Sequence, residues 1–282
     1  MPESRLDTCL PDPASRPPST GSAPWTTSAW RSIDGAIVPA RHDRLDDPRL
    51  AADLLTARRG TAYFARKLAE LGDADFGAPS LLPGWTRAHV IAHVGYNARA
   101  LTRLLEWAAT GIETPMYRGP DDRRAEIEQG ATLKPIALRH LVAHSAVHLN
   151  VEWRDLPPAA WRATVRTAQG RTVPAGDTAW MRGREVWIHA VDLDNGARFD
   201  DFPPALLDAL LADITETWRR RGAGGNLTLE PTDRSARVDV GPHPTDRVIG
   251  SAANLTRWAT GRGLDGIAVS SGRPVPKPPR WI

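Results

Sequence analysis

Glu185 and His189 stand four residues apart within Trp180-Met181-Arg182-Gly183-Arg184-Glu185-Val186-Trp187-Ile188-His189-Ala190-Val191-Asp192-Leu193. That spacing puts both on one helix face. The apolar residues of the segment fall on nearly every side, so most of the helix should be buried. A buried carboxylate is costly unless it is paired or bound to a metal. Two readings follow. In one, a hydrogen-bonded Glu–His pair ties two helices together. In the other, both are ligands of a metal completed from a facing helix. His93, in Trp85-Thr86-Arg87-Ala88-His89-Val90-Ile91-Ala92-His93-Val94, lies beside the stripe of Val90, Val94 and Leu101 and is the candidate third ligand. Alone it reads as a core histidine. Beside Glu185 and His189 it makes the two-His, one-Glu set of many catalytic zinc sites, which leaves coordination positions open. His89 sits one turn earlier, turned toward the polar side.

A second cluster competes. His140, His144, His148 and Glu152 also repeat at four-residue spacing. Their stripe is displaced from the Leu138, Leu141, Val142, Leu149 face, and three successive histidines of one helix cannot share a metal without strain, so they read as a polar flank. Other templates fail: there is no phosphate-cradling Gly-rich loop before Lys-Ser/Thr, no His-Glu-x-x-His and no Gly-x-Ser-x-Gly elbow. The one cysteine, Cys9, falls in a Pro/Ser/Thr-rich stretch. That usage suits a reducing, cytoplasmic setting. Any thiol chemistry would need sulfur brought by a cofactor.

The elements that must position these residues can be read along the chain. Residues 1–46 are rich in Pro and small polar residues and are expected to be disordered. Order is expected to begin at Asp47-Pro48, an N-cap followed by Pro at the first helical position, in a helix reaching Leu71. A second helix follows the Thr86 N-cap and ends near Gly111; others are expected over Pro135–Trp153, Thr178–Leu193 and Pro204–Arg221. Trp161–Pro174, turning at Gln169-Gly170, reads as a hairpin between helices. Together these suggest a four-helix bundle plus one extra helix over 47–222. After the Gly222–Gly225 linker, short strands at Asn226–Glu230, Arg237–Val240, Arg247–Gly250 and Gly266–Val269, with a helix at Ala252–Thr260, suggest a small C-terminal α/β domain over 223–282. The fold class is therefore mainly α with a small α/β part. Trp281-Ile282 should dock on an apolar surface. With 282 residues, 41% hydrophobic and 24% charged, the chain is ordinary for a globular protein. A formal charge of +3 with dispersed Arg gives no nucleic-acid footprint. No apolar run is long enough to span a bilayer.

Several of these stretches resemble the mycothiol-dependent maleylpyruvate isomerases, whose bundle belongs to the DinB-like superfamily. The matching segments are Ser80-Leu81-Leu82-Pro83-Gly84-Trp85-Thr86-Arg87, Ile91-Ala92-His93-Val94, Tyr96-Asn97 and Glu113-Thr114-Pro115-Met116-Tyr117. Ala168-Gln169-Gly170-Arg171-Thr172-Val173-Pro174, the Trp180–Leu193 run and Pro278-Pro279-Arg280-Trp281 complete the set. The likeness runs in order from about Leu50 to the C-terminus and leaves residues 1–46 without a counterpart. It implies zinc ligands at His93, Glu185 and His189, and a functional arginine at Arg262. On residue type alone Arg262 is a helix C-terminal cation favoured by the macrodipole.

The resemblance also implies conversion of 3-maleylpyruvate to 3-fumarylpyruvate, a step in gentisate breakdown, with zinc and mycothiol as cofactors. Arg262 is then expected to hold a substrate carboxylate, with Arg87 and Arg184 as weaker candidates. The competing functions are a mycothiol S-transferase on the same bundle and a zinc-binding regulatory protein. The expected partners are a small-molecule substrate and mycothiol, with no nucleic acid and no membrane, and the chain is expected to be a monomer.

Overall fold

The structure is a computed structural model that describes residue 43 and residues 45–119 and 121–281. Almost all of the expected disordered extension, with Cys9 and His42, lies outside the described residues, as does Ile282.

Helix α1 (Pro48–Ala69) starts as expected: the Asp47 carboxylate accepts from the amides of Arg49 (2.9 Å) and Leu50 (3.3 Å). It stops two residues short of Leu71. Helix α2 (Arg87–Thr110) begins after Thr86 and ends at Gly111, whose φ of 74° is the left-handed conformation that a C-terminal glycine adopts freely. Helix α3 (Asp122–Ala131) was not anticipated. Only Ile127 and Gly130 are buried in it, so it carries no apolar stripe for a periodicity argument to find. Helix α4 (Pro135–Asp155), helix α5 (Asp177–Asp192) and helix α6 (Pro204–Arg220) fall within a residue or two of expectation, and the hairpin of β1 (Thr164–Arg166) and β2 (Thr172–Pro174) ends where expected but starts three residues later than Trp161, which lies in a short 3-10 turn.

Helices α1, α2, α4 and α5 form the bundle, with α1 against α5, α2 against both α4 and α5, and α3 laid across α2. Close approach of α1 to α5 depends on Gly60, since a Cβ there would meet the Trp187 ring at 2.5 Å. The Trp187 ring stacks on Tyr63 (centroids 4.9 Å), and its Nε1 donates to the Thr56 carbonyl.

The C-terminal part is a four-stranded sheet in the order β4-β3-β5-β6, with β3 (Leu227–Pro231) parallel to β5 (Asp246–Gly250). The edge strands β4 (Val238–Asp239) and β6 (Ala268–Val269) pair antiparallel. Helix α7 (Ala252–Ala259) follows β5 and packs on α6, where Trp218 and Trp258 meet edge to face at 5.8 Å. Trp281 is buried, as expected of the closing segment, and joins a hydrophobic cluster that also contains Ile91, Val186 and Trp258. The bundle and the sheet therefore share one core.

Candidate metal centre

His93, on the inward face of α2, and Glu185 and His189, on α5, meet where these two helices pack. The Glu185 Oε2 lies 3.0 Å from His93 Nε2 and 3.1 Å from His189 Nε2. One ligand atom from each side chain lies within 4.8 Å of the other two. His93 is 3% exposed, and its ring meets that of His189 edge-on with centroids 4.7 Å apart. The half-buried Trp85 packs against it, the ring centroids 5.8 Å apart and the planes inclined at 63°. Among the described residues no other group of His, Cys, Asp and Glu converges in this way. On α4, His140 and His144 only stack on each other and His148 pairs with Glu152, so that cluster is the polar flank anticipated. His89 accepts from the Thr86 amide through Nδ1 (3.2 Å), which closes the first turn of α2.

Protonation distinguishes the three side chains. Burial drives the His93 imidazole down to about 4, so the ring is neutral near pH 7. Burial would push the Glu185 carboxyl up, but the contacts with His189 and His93 hold it well below the usual range, and it is ionised. His189 is pulled upward: burial opposes its charge, yet Asp192 and Glu185 outweigh it. Its Nδ1 lies 2.8 Å from Asp192 Oδ2, so Nδ1 carries a proton for that carboxylate. The Nε2 then faces a second carboxylate, that of Glu185. Such a nitrogen needs either a second proton or a cation between itself and the oxygen. The two-nitrogen, one-carboxylate donor set, with one tautomer already held by a carboxylate, fits a divalent metal.

Asp192 was the residue that spacing did not single out. It is wholly buried, three residues beyond His189, and is held at about 2; burial alone would raise it, but His189 and Arg262 overcome that. Arg262 reaches across from the segment after α7 and grips it with Nε to Oδ1 at 3.1 Å and Nη2 to Oδ2 at 2.8 Å, while Nη1 donates to the Thr260 carbonyl. The arginine expected to meet substrate thus stands behind His189. Arg87 donates to the Leu193 and Asp194 carbonyls at the end of α5, and Arg184 pairs with Asp213 of α6. Arg123, on the unforeseen α3, does reach the cluster, with Nη2 3.5 Å from His93 Nδ1; among the described residues it makes no ion pair. Tyr117 lies nearby and is pushed up to about 12 by burial and by Glu185, against the pull of Arg123.

An inward-facing His/Glu/His set that could hold a metal ion, on two adjoining bundle helices, defines the class: a helical bundle with an appended α/β unit. A family model described as the mycothiol maleylpyruvate isomerase N-terminal domain matches residues 57–194. A solved crystal structure of the mycothiol-dependent maleylpyruvate isomerase is 51% identical, with a TM-score of 0.79, covering 82% of this chain and 97% of that one. The crystal structure of a mutant under the same name gives the same figures. No curated protein matches the chain. The chain belongs to the family of the mycothiol-dependent maleylpyruvate isomerases.

Proposed function

We propose that this protein isomerises 3-maleylpyruvate to 3-fumarylpyruvate, a step in gentisate breakdown, with mycothiol and one divalent metal, zinc by the chemistry of its donors. The observation that carries the reading is the convergence of His93, Glu185 and His189 in a chain 51% identical to an enzyme of that name. When bound at His93, Glu185 and His189, zinc would supply the positive charge that keeps the mycothiol sulfur a thiolate, the form able to add reversibly to a cis alkene.

The chain's own residues prepare for this. His93 is neutral and its Nε2 faces the cluster, while Asp192 keeps the His189 proton on Nδ1 and leaves Nε2 as the donor atom. Arg262 acts on the site through that Asp192–His189 contact. Once His93 gives Nε2 to a metal, its ring proton belongs on Nδ1, and Arg123, which only donates, loses its acceptor there. Arg123 then turns to a carboxylate of the dianionic substrate, with the neutral Tyr117 phenol beside it.

The test is turnover of maleylpyruvate by the metal-loaded protein with and without mycothiol. Turnover that needs both supports the reading. Mycothiol conjugates forming without isomerisation, or isomerisation indifferent to the metal, would sink it.

A further inference from the structure

Of the neighbouring pairs among the four bundle helices, α1 and α4 touch each other least, and a cleft of about 310 Å³ opens along their seam. Arg58 and Thr61 of α1 and Val147 and Asn150 of α4 stand at its sides. Deeper in lie the buried Leu149 and Trp153 of α4 and, from α5, Arg182. Trp153 Nε1 donates to Thr178 Oγ1, so the ring offers the cleft apolar surface. No Asp or Glu lines it. Arg58 is not an open cation, because Asp43 takes both of its terminal nitrogens and Asn150 its Nε. Arg182 is a different case.

Arg182 is 1% exposed. Its Nη1 donates to the Val94 carbonyl (2.7 Å) and to Asn97 Oδ1 (2.9 Å), which ties α5 to α2. That tie accounts for one nitrogen of the three. Nε and Nη2 are buried without a hydrogen-bond partner, and among the described residues Arg182 makes no ion pair. Burial pulls the guanidinium down to about 10, and the carboxylate that works against this is Glu185. Glu185 is already engaged by His93 and His189, and a metal held there would engage it further. A buried cation with two unanswered nitrogens costs stability until an acceptor, best an anionic one, reaches them. The light packing of α1 on α4 makes this seam the side from which the core opens most cheaply.

We propose that the seam between α1 and α4 is a binding site for a small monocarboxylate with an apolar body, its carboxylate on Arg182 Nε and Nη2 and its body against Leu149 and Trp153. The paired oxygens of a carboxylate match the paired N–H groups on that side of the guanidinium fork. The volume is that of a small ligand pocket. A second anionic group would find no answering charge, since Arg58 is already held by Asp43. None of His93, Glu185 and His189 lines the cleft.

Calorimetric titration of the full-length, metal-loaded protein at low ionic strength tests this, with benzoate as the probe and inorganic phosphate as the anion that lacks an apolar body. Benzoate should bind saturably at one equivalent, and phosphate should not saturate over the same range. Arg182→Met, which keeps an unbranched apolar stem and removes the charge, should weaken benzoate by about tenfold or more. Because that change also removes an interhelical tie, a second pair of variants sits at the exposed mouth. There Val147→Glu should weaken benzoate by about two- to fivefold through like-charge repulsion, and Val147→Lys should not. His93→Ala should still take up one equivalent, which separates this cleft from the metal centre and from the proposed isomerisation. The assignment would be overturned by the absence of saturable benzoate binding, by phosphate binding equally well, or by benzoate binding that Arg182→Met leaves untouched. Equal affinity in the two Val147 variants, or loss of binding in His93→Ala, would overturn it as well.

Discussion

Replacing Arg262 by Ala removes two of the three side-chain hydrogen bonds to the Asp192 carboxylate and leaves that carboxylate, 0% exposed, with His189 as its remaining side-chain partner. The Arg262 side chain is itself only 15% exposed, so water replaces little of what is lost. Breaking a buried ion pair from one side costs roughly 3–5 kcal/mol. At about 2–4 °C per kcal/mol for a body of this size, the melting midpoint should fall by roughly 6–20 °C. Loss of a residue that braces a metal ligand typically weakens the metal by about 10–100-fold, or roughly 1.4–2.7 kcal/mol. The sign with pH is also determined. Asp192 is held at about 2, below its ordinary 3.8, so its contribution is complete above about pH 4 and is lost as pH falls through 2. In Arg262→Ala that loss should begin at higher pH. The assay is a thermal melt, a chelator-competition titration and an initial rate on one preparation. Adding Asp192→Asn to Arg262→Ala should recover part of the lost stability, because the orphaned charge is gone. Wild-type melting and metal affinity combined with lost turnover would refute this and return Arg262 to direct contact with substrate.

Three further outcomes are expected. Purified protein should hold about one divalent metal per chain, which His93→Ala and His189→Ala lose and His144→Ala retains, as measured by metal analysis; retention by the first two with loss by the third would move the site to α4. Asp53 is raised above its ordinary value by burial, with Asp177 and Asp47 adding to it against the pull of Arg49, so its charged form opposes folding. Asp53→Asn should therefore raise the melting temperature at pH 7, with the gain shrinking as acid protonates the wild-type carboxylate, and an unchanged difference across pH would count against it. Gly60→Ala should destabilise by about 1–3 kcal/mol in denaturant unfolding, because the new methyl meets Trp187 and Val186 inside 3 Å; a neutral result would mean α1 and α5 separate without cost.

Spacing and burial in the sequence led to all three members of the cluster, because two polar residues on an otherwise apolar helix need a reason to be there. They also led to the helix boundaries marked by Asp47-Pro48, Thr86 and Gly111, where capping chemistry is local. Helix α3 escaped because its inward side is a single Ile127 and a glycine that lets Tyr96 approach. Arg123 escaped with it. Arg262 was named through likeness, but its partner was not. The 70 residues between Asp192 and Arg262 carry no periodic signal that joins them, and only the docking of the sheet on the bundle does so. Asp192 itself was legible in principle, as a carboxylate one turn beyond His189 on a buried helix.

The reach of Arg262 across those 70 residues has a consequence for how the molecule is made. Synthesis runs from the N-terminus, so His93, Glu185, His189 and Asp192 leave the ribosome well before Arg262 does. Until the last strands and α7 have folded, the nascent bundle carries a carboxylate with only His189 as its side-chain partner, at the end of the helix that bears Glu185 and His189. A cluster braced only once the chain is complete would hold a metal less firmly before that point, so a truncated translation product would be disfavoured as a metal trap.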